Sequence, residues 1–150
     1  MWTYDQSTGN LSENGAPTGV GYSGFGEGKN NPAMQNVHDV GPIPQGLYMI
    51  GPPQDTATHG QHVMALTPVD GTNTFGRDGF LIHGDSIANP GTASHGCIIL
   101  ARPIRDEISA AATTRSRSSE LSNIRELRGV LKAIPSNRSW GMPTADPTAT

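Results

Sequence analysis

A mainly β fold, with short helices gathered mostly after a single cysteine, is what this 150-residue sequence predicts. Hydrophobic residues make up only 34% of the chain, while 19 glycines and 12 prolines punctuate it, a balance that favours short strands and many turns. Apolar runs in the first hundred residues are short and bounded by turn residues, as at 80–82 and 98–100. Helical spacing emerges only after Pro103, a residue suited to a helix's first turn.

Taken in order, Trp2, Thr3 and Tyr4 read as a strand and residues 7–10 as a turn, with Leu11 in a second short strand. Asn14-Gly15 is a strong hairpin signal, because both residues tolerate positive φ. Residues 20–23 continue the meander. The loop Gly24-Phe-Gly-Glu-Gly-Lys-Asn-Asn-Pro32 superficially resembles a phosphate-binding loop. Its spacing is wrong, no Ser or Thr follows Lys29, and Asn31-Pro32 blocks immediate entry into a helix. It is either a surface loop or a substrate-facing one, with Lys29, Asn30 and Asn31 as polar contacts.

Gly41-Pro-Ile-Pro-Gln-Gly46 is a rigid turn feeding a strand at 47–50, which residues 51–53 end. A polar loop follows, then a strand at 62–67 stopped by Pro68. His38, His59 and His62 lie in or beside loops and are assigned no catalytic role. Turns at 70–71 and 76–79 lead into the central strand at 80–82, and Asn89-Pro-Gly91 turns the chain toward 93–100. Up to residue 100 the chain therefore reads as a β meander. Beyond it, a modest helix is expected over 104–112 and a polar loop over 113–119. Leu121, Ile124, Leu127, Val130, Leu131 and Ile134 then fall at helical spacing, with Ser122 as N-cap and Pro135 as stop. A strand at 120–124 is the competing reading. One domain is expected over 1–135, with its core at 1–112 and a divergent segment at 113–135; residues 136–150 read as a flexible tail.

The net charge is −3 and no basic stripe appears, so nucleic acid is not an expected partner. No apolar run is long enough to cross a bilayer, so membrane insertion is not expected. The N-terminus, Met1-Trp-Thr-Tyr-Asp-Gln6, has neither a basic nor an apolar leader region, and no secretory signal peptide is expected.

Any thiol chemistry must rest on Cys97, the single cysteine. A free thiol titrates near ~8.5 and needs a neighbouring imidazole or helix N-terminus to act as a nucleophile. His83 and His95 are both candidates. His95 lies two residues before Cys97, so in an extended segment their side chains would point the same way. His83 would reach the sulfur across a strand pair. Gly96 permits close backbone approach, and the amides of Gly96 and Cys97 are natural donors to an oxyanion. Asp85, Ser86 or a carbonyl such as that of Gly84 is each able to orient His83. Two other readings stay open: Cys97 as a buried structural residue, and a zinc site built from His83, Asp85, His95 and Cys97.

Ser94-His-Gly-Cys-Ile98, preceded by Ile82-His-Gly84, resembles the signature of the L,D-transpeptidase (YkuD-type) catalytic domain. In that family a His precedes Ser/Thr-His-Gly-Cys by somewhat over a dozen residues, and here Cys97 follows His83 by fourteen positions. Gly41-Pro-Ile-Pro-Gln-Gly-Leu-Tyr48 resembles the family's Thr-Pro-x-Gly-x-Tyr/Phe segment. A closer resemblance covers roughly residues 2–108. It rests on Trp2-Thr-Tyr4, Gly28-Lys-Asn-Asn-Pro32, Gly41-Pro-Ile-Pro44, Phe80-Leu-Ile-His-Gly-Asp85 and Gly96-Cys-Ile-Ile-Leu100. In that order these are similar to the small L,D-transpeptidase effectors delivered by type VI secretion systems.

The resemblance implies a YkuD-like β-sandwich or barrel and a covalent thioester mechanism on peptidoglycan stem peptides, without metal or cofactor. Carried onto this chain, it makes Cys97 the nucleophile and His83 the general base that holds a thiolate–imidazolium pair. Ser94, His95 and Gly96 would shape the pocket and oxyanion hole, and the Gly84 carbonyl would orient His83. Asp85, Lys29, Asn30 and Tyr22 are the candidate substrate contacts. The implied partners are the stem peptide, the secretion apparatus and a cognate immunity protein. The implied route runs from cytoplasmic synthesis to the periplasm of a target Gram-negative cell. Two features depart from the family: Ile99 stands where many members carry an Arg, for which Arg102 is a candidate substitute, and the chain after Thr113 is expected to add helix and tail instead of a closing strand. A non-catalytic wall-binding module on the same fold and a zinc hydrolase are the alternative functions.

Overall fold

A computed structural model describes residues 1–69, 71–116 and 129–136. Strands β1 (Trp2–Asp5), β2 (Asn10–Glu13) and β3 (Ala16–Val20) pair antiparallel. Asn14 and Gly15 turn between β2 and β3 at φ of 51° and 90°, the positive angles that the Asn-Gly dipeptide adopts with least strain. After β4 (Tyr22–Ser23), the glycine-rich loop winds into two 3-10 turns, Gly26–Gly28 and Pro32–Met34. Asn31 caps the second by accepting from the Ala33 N–H at 3.1 Å. Then come β5 (Gly46–Ile50), β6 (Gln54–Thr56), β7 (Gly60–Pro68), β8 (Leu81–His83), β9 (Ile98–Ile99), helix α1 (Arg102–Ser116) and β10 (Val130–Ile134).

Among the described residues the ten strands share one sheet, ordered β3-β2-β1-β10-β5-β7-β8-β9-β4, with β6 attached to β7. Its terminal strands, β3 and β4, are separated in sequence only by Gly21, so the sheet curls into a nearly closed barrel. The mainly β expectation therefore holds. Alternate strand residues fill the interior: Trp2 and Tyr4 from β1, Tyr48 from β5, Met64 and Leu66 from β7, and Leu131 and Ala133 from β10. On α1, Ile104, Ile108 and Ala111 fall on one face and pack onto this core. Each buried large side chain contributes on the order of 1.5–3 kcal/mol of transfer free energy.

Three expectations need correction. Beyond a meander, the sheet contains two parallel pairs, β1–β10 and β8–β9, and residues 54–56 pair as a strand inside what reads as a loop. Val130–Ile134 is a strand, not the end of a helix. Val130 and Ile134 are β-branched, Leu131 and Ala133 point inward while Lys132 points out, and β1 and β5 supply backbone partners on both sides. A closing strand is thus present after all. The rest of the predicted helix, at 121–128, lies outside the described residues, as do the competing strand at 120–124 and residues 137–150. Helix α1 has Pro103 in its first turn and extends beyond 104–112 at both ends.

Candidate active site

The parallel β8–β9 pair sets Ile82 beside Ile98 and His83 beside Ile99. That register brings Cys97 alongside Leu81, whose side chain shares a strand face with that of His83 two residues on. The two motifs meet in a cleft of about 180 Å³. His59, Asp78, Gly79, Phe80 and His83 line one part of it, and Asp39, Ala93, His95, Gly96 and Cys97 the other. A larger hollow of about 860 Å³ lies around the β2–β3 hairpin, but no titratable side chain lines it. The smaller cleft holds the chemistry.

His83 is buried, and its Nδ1 lies 2.9 Å from the Gly84 carbonyl oxygen. A carbonyl only accepts, so Nδ1 carries the proton and Nε2 keeps a free lone pair. Of the three orienters that the residues left open, the Gly84 carbonyl is the one in contact. The His59 ring lies 4.8 Å from that of His83, centre to centre. Burial lowers the His83 pKa below the ordinary histidine value; the Gly84 carbonyl opposes this, and His59 and Arg105 add to it. Cys97 is half-buried, with Sγ 3.8 Å from the Gly79 carbonyl oxygen. Burial raises the thiol's pKa, against the Leu81 backbone and the Arg77 charge. Both shifts run toward the neutral forms, thiol and imidazole, and so against the ion pair that the resemblance implies.

The loop before Cys97 is braced from within. Ser94 is fully buried; its hydroxyl donates to the Cys97 carbonyl at 2.6 Å and accepts from the amides of Gly24 (2.8 Å) and Gly96 (3.1 Å). Ser94 therefore shapes the turn without lining the cleft, and the Gly96 amide is turned toward it. Gly96 sits at φ 134°, and a Cβ there would come within 2.5 Å of an Arg77 nitrogen. His95 lines the same cleft but has partners other than the thiol: its Nδ1 meets the Asp39 carbonyl at 3.0 Å and its ring stacks on Phe25 at 5.2 Å.

The four candidate substrate contacts lie off the cleft lining. Tyr22 donates to Asp85 at 2.6 Å and accepts from the Ala93 amide at 2.9 Å, while the Lys29 ammonium lies 4.5 Å over the Tyr22 ring. Asp85 also accepts from the amides of Ser86 and Gly91. Burial is the largest single influence on the Asp85 carboxyl and raises its pKa, but the Tyr22 hydroxyl, these amides and Lys29 together outweigh it and hold the carboxyl below its usual range. Burial, with the Asp85 hydrogen bond, pushes the Tyr22 hydroxyl up to about 12. Asn30 accepts from the Ser23 amide at 3.3 Å and so braces β4. These residues hold the 85–93 loop against β4.

Arg102 ion-pairs with Asp106 on the exposed face of α1, and Ile99 is buried. The guanidinium beside the site belongs instead to Arg77, which sits in a Gly-Arg-Asp-Gly turn where nothing local signals burial. His59 and Asp78 also reach the cleft from turns, and Asp39 reaches it from the far side; their approach depends on sheet pairing that spacing does not reveal. His62 instead bonds Ser109 at 2.8 Å and pins α1 to β7, and His38 meets the Phe75 carbonyl at 3.3 Å. Among the described residues no group of three or more His, Cys, Asp or Glu is placed to hold a metal ion, since Asp85 turns to Tyr22 and His95 to Asp39.

No curated protein matches the sequence. Residues 18–124, more than two thirds of the chain, match the family model of the Tlde1 domain, and the matched span contains every residue lining the cleft. The chain therefore belongs to the Tlde1 domain family, the type VI secretion effectors of the L,D-transpeptidase kind.

Proposed function

We propose that the protein cleaves peptidoglycan tetrapeptide stems through a Cys97 acyl-enzyme, acting as an L,D-carboxypeptidase, an L,D-transpeptidase or both. The observation that carries this reading is the convergence of Cys97 and a tautomer-fixed His83 on one cleft. Family membership supports peptidoglycan as the substrate and the secretion apparatus as a partner. His83 Nε2 takes the thiol proton as Sγ attacks the carbonyl of the diaminopimelate at stem position three. The tetrahedral intermediate collapses to a thioester, and the D-alanine amine leaves with the proton from His83. Water, deprotonated by His83, then releases a tripeptide and free Cys97. A D-amino acid or the amine of a second stem in place of water gives exchange or a cross-link. Such trimming or capping would deprive a target Gram-negative cell of cross-linking substrate in its periplasm, and the producer would need a cognate immunity protein.

Mass spectrometry of purified disaccharide-tetrapeptide after incubation tests the reading. Loss of one alanine with the wild type and none with Cys97→Ala is the expected result. An unchanged substrate, with and without added D-amino acid, would sink it.

A further inference from the structure

We propose that Arg77 is a positioning residue for Cys97: backbone carbonyls of the loops around the cleft fix its guanidinium, and its unneutralised charge stabilises negative charge on the sulfur. The inference deepens the reading of Cys97 as nucleophile and rests on it.

Arg77 is 6% exposed, although it belongs to a short turn between two glycines. One guanidinium nitrogen donates to the carbonyls of Gln35 and Pro42, and the other to those of Gly41 (2.9 Å) and His95 (3.3 Å). The same group lies 5.6 Å from the centre of the Phe80 ring and would touch a Cβ at Gly96. It thus ties the 35–42 loop to the turn that presents the thiol. Carbonyls take the donors of its two terminal nitrogens but leave its charge uncancelled. Among the described residues the ion pairs are His62–Asp106 and Arg102–Asp106, and neither involves Arg77. Retaining a buried cation without a contacting anion is costly, and a neutral donor would tie loops at lower cost. The charge is useful where an anion forms: Arg77 favours ionisation of both Tyr48 and Cys97, and of these two Cys97 is the one that lines the cleft.

The other ionisable groups around the sulfur are His83 from β8, His59 from the β6–β7 turn, Asp78 beside Arg77, and Asp39 and His95, which also line the cleft. Asp39 draws on the Arg77 charge at longer range without contacting it. None of these replaces a fixed positive charge, because a neutral imidazole carries none and the aspartates oppose thiolate formation.

Iodoacetamide labelling of purified protein across pH, read by intact mass, reports Cys97 alone, because it is the only thiol. Arg77→Gln is expected to move the labelling midpoint up by about one pH unit, making labelling near neutral pH roughly tenfold slower. Arg77→Lys should restore most of the midpoint, because it keeps the charge. It should also lower kcat for D-alanine release with little change in KM, because it loses the planar fork. Arg77→Met, which can still pack on Phe80, serves as a second neutral variant if the Gln variant does not fold. Coincident midpoints for the wild type and a folded neutral variant would overturn the proposal. Labelling needs no substrate, so this comparison is decided separately from the stem-peptide assay.

Discussion

Burial acts on His83 and Cys97 in opposite directions on the pH scale but toward the same charge state, neutral in both. In the proposed mechanism His83 acts as a base on demand, and His83→Gln should slow D-alanine release roughly 10²–10⁴-fold in steady-state assays. The same burial links His83 to stability. An unfolded histidine takes up a proton as pH falls through ~6.5, while folded His83 resists until a lower pH. The unfolded state binds more protons in that window, so stability is lost as pH falls through it, and the loss from this group ends once folded His83 is itself protonated. Melting temperatures of the wild type and His83→Gln, measured from pH 7 downward, should show the wild type losing its margin below ~6.5. A constant difference would remove His83 as the cause. Cys97 and His83 were legible as neighbours in the sequence through the family resemblance their motifs carry, since spacing alone left His83 and His95 both open. Arg77 and His59 were not, since each sits in a turn of ordinary composition and gains its role from a partner far along the chain.

Among the elements, the 85–93 loop depends on β4. Tyr22 bridges Asp85 and the Ala93 amide with one hydroxyl, which stays protonated throughout the neutral range. Tyr22 and Asp85, read in the sequence as substrate contacts, also bond each other and so tie β4 to the segment leading to Ser94 and Cys97. Tyr22→Phe removes one donor and one acceptor and should cost about 1–3 kcal/mol in urea unfolding, because it leaves the Ala93 amide without this partner. Amide hydrogen exchange should quicken within 85–93 and remain near wild type in β1. Uniform acceleration over the whole chain would refute the local bracing role. The Asn14-Gly15 hairpin lies at the other extreme: its geometry is set by two adjacent residues and was legible without tertiary information.

At the scale of the whole molecule, the middle of the sheet is joined by pairing between the first and last strands of the described chain. β10 lies between β1 and β5, with Leu131 paired across from Trp2 on one side and Tyr48 on the other. A window around residue 130 contains neither partner, and its apolar spacing fits a helix and a strand alike, so only tertiary pairing decides the outcome. The active cleft, by contrast, is assembled on β8 and β9, away from this seam in strand order. Stability and chemistry should therefore separate. Leu131 is fully buried, and Leu131→Ala removes its packing and leaves a cavity, at a cost of about 2–5 kcal/mol. The urea midpoint should fall accordingly, with an unchanged slope if unfolding stays two-state. Below that midpoint, the Cys97 labelling profile should match that of the wild type. A shifted labelling midpoint in the still-folded variant would mean that the β1–β10 seam reaches the thiol, and that the barrel transmits strain across its sheet.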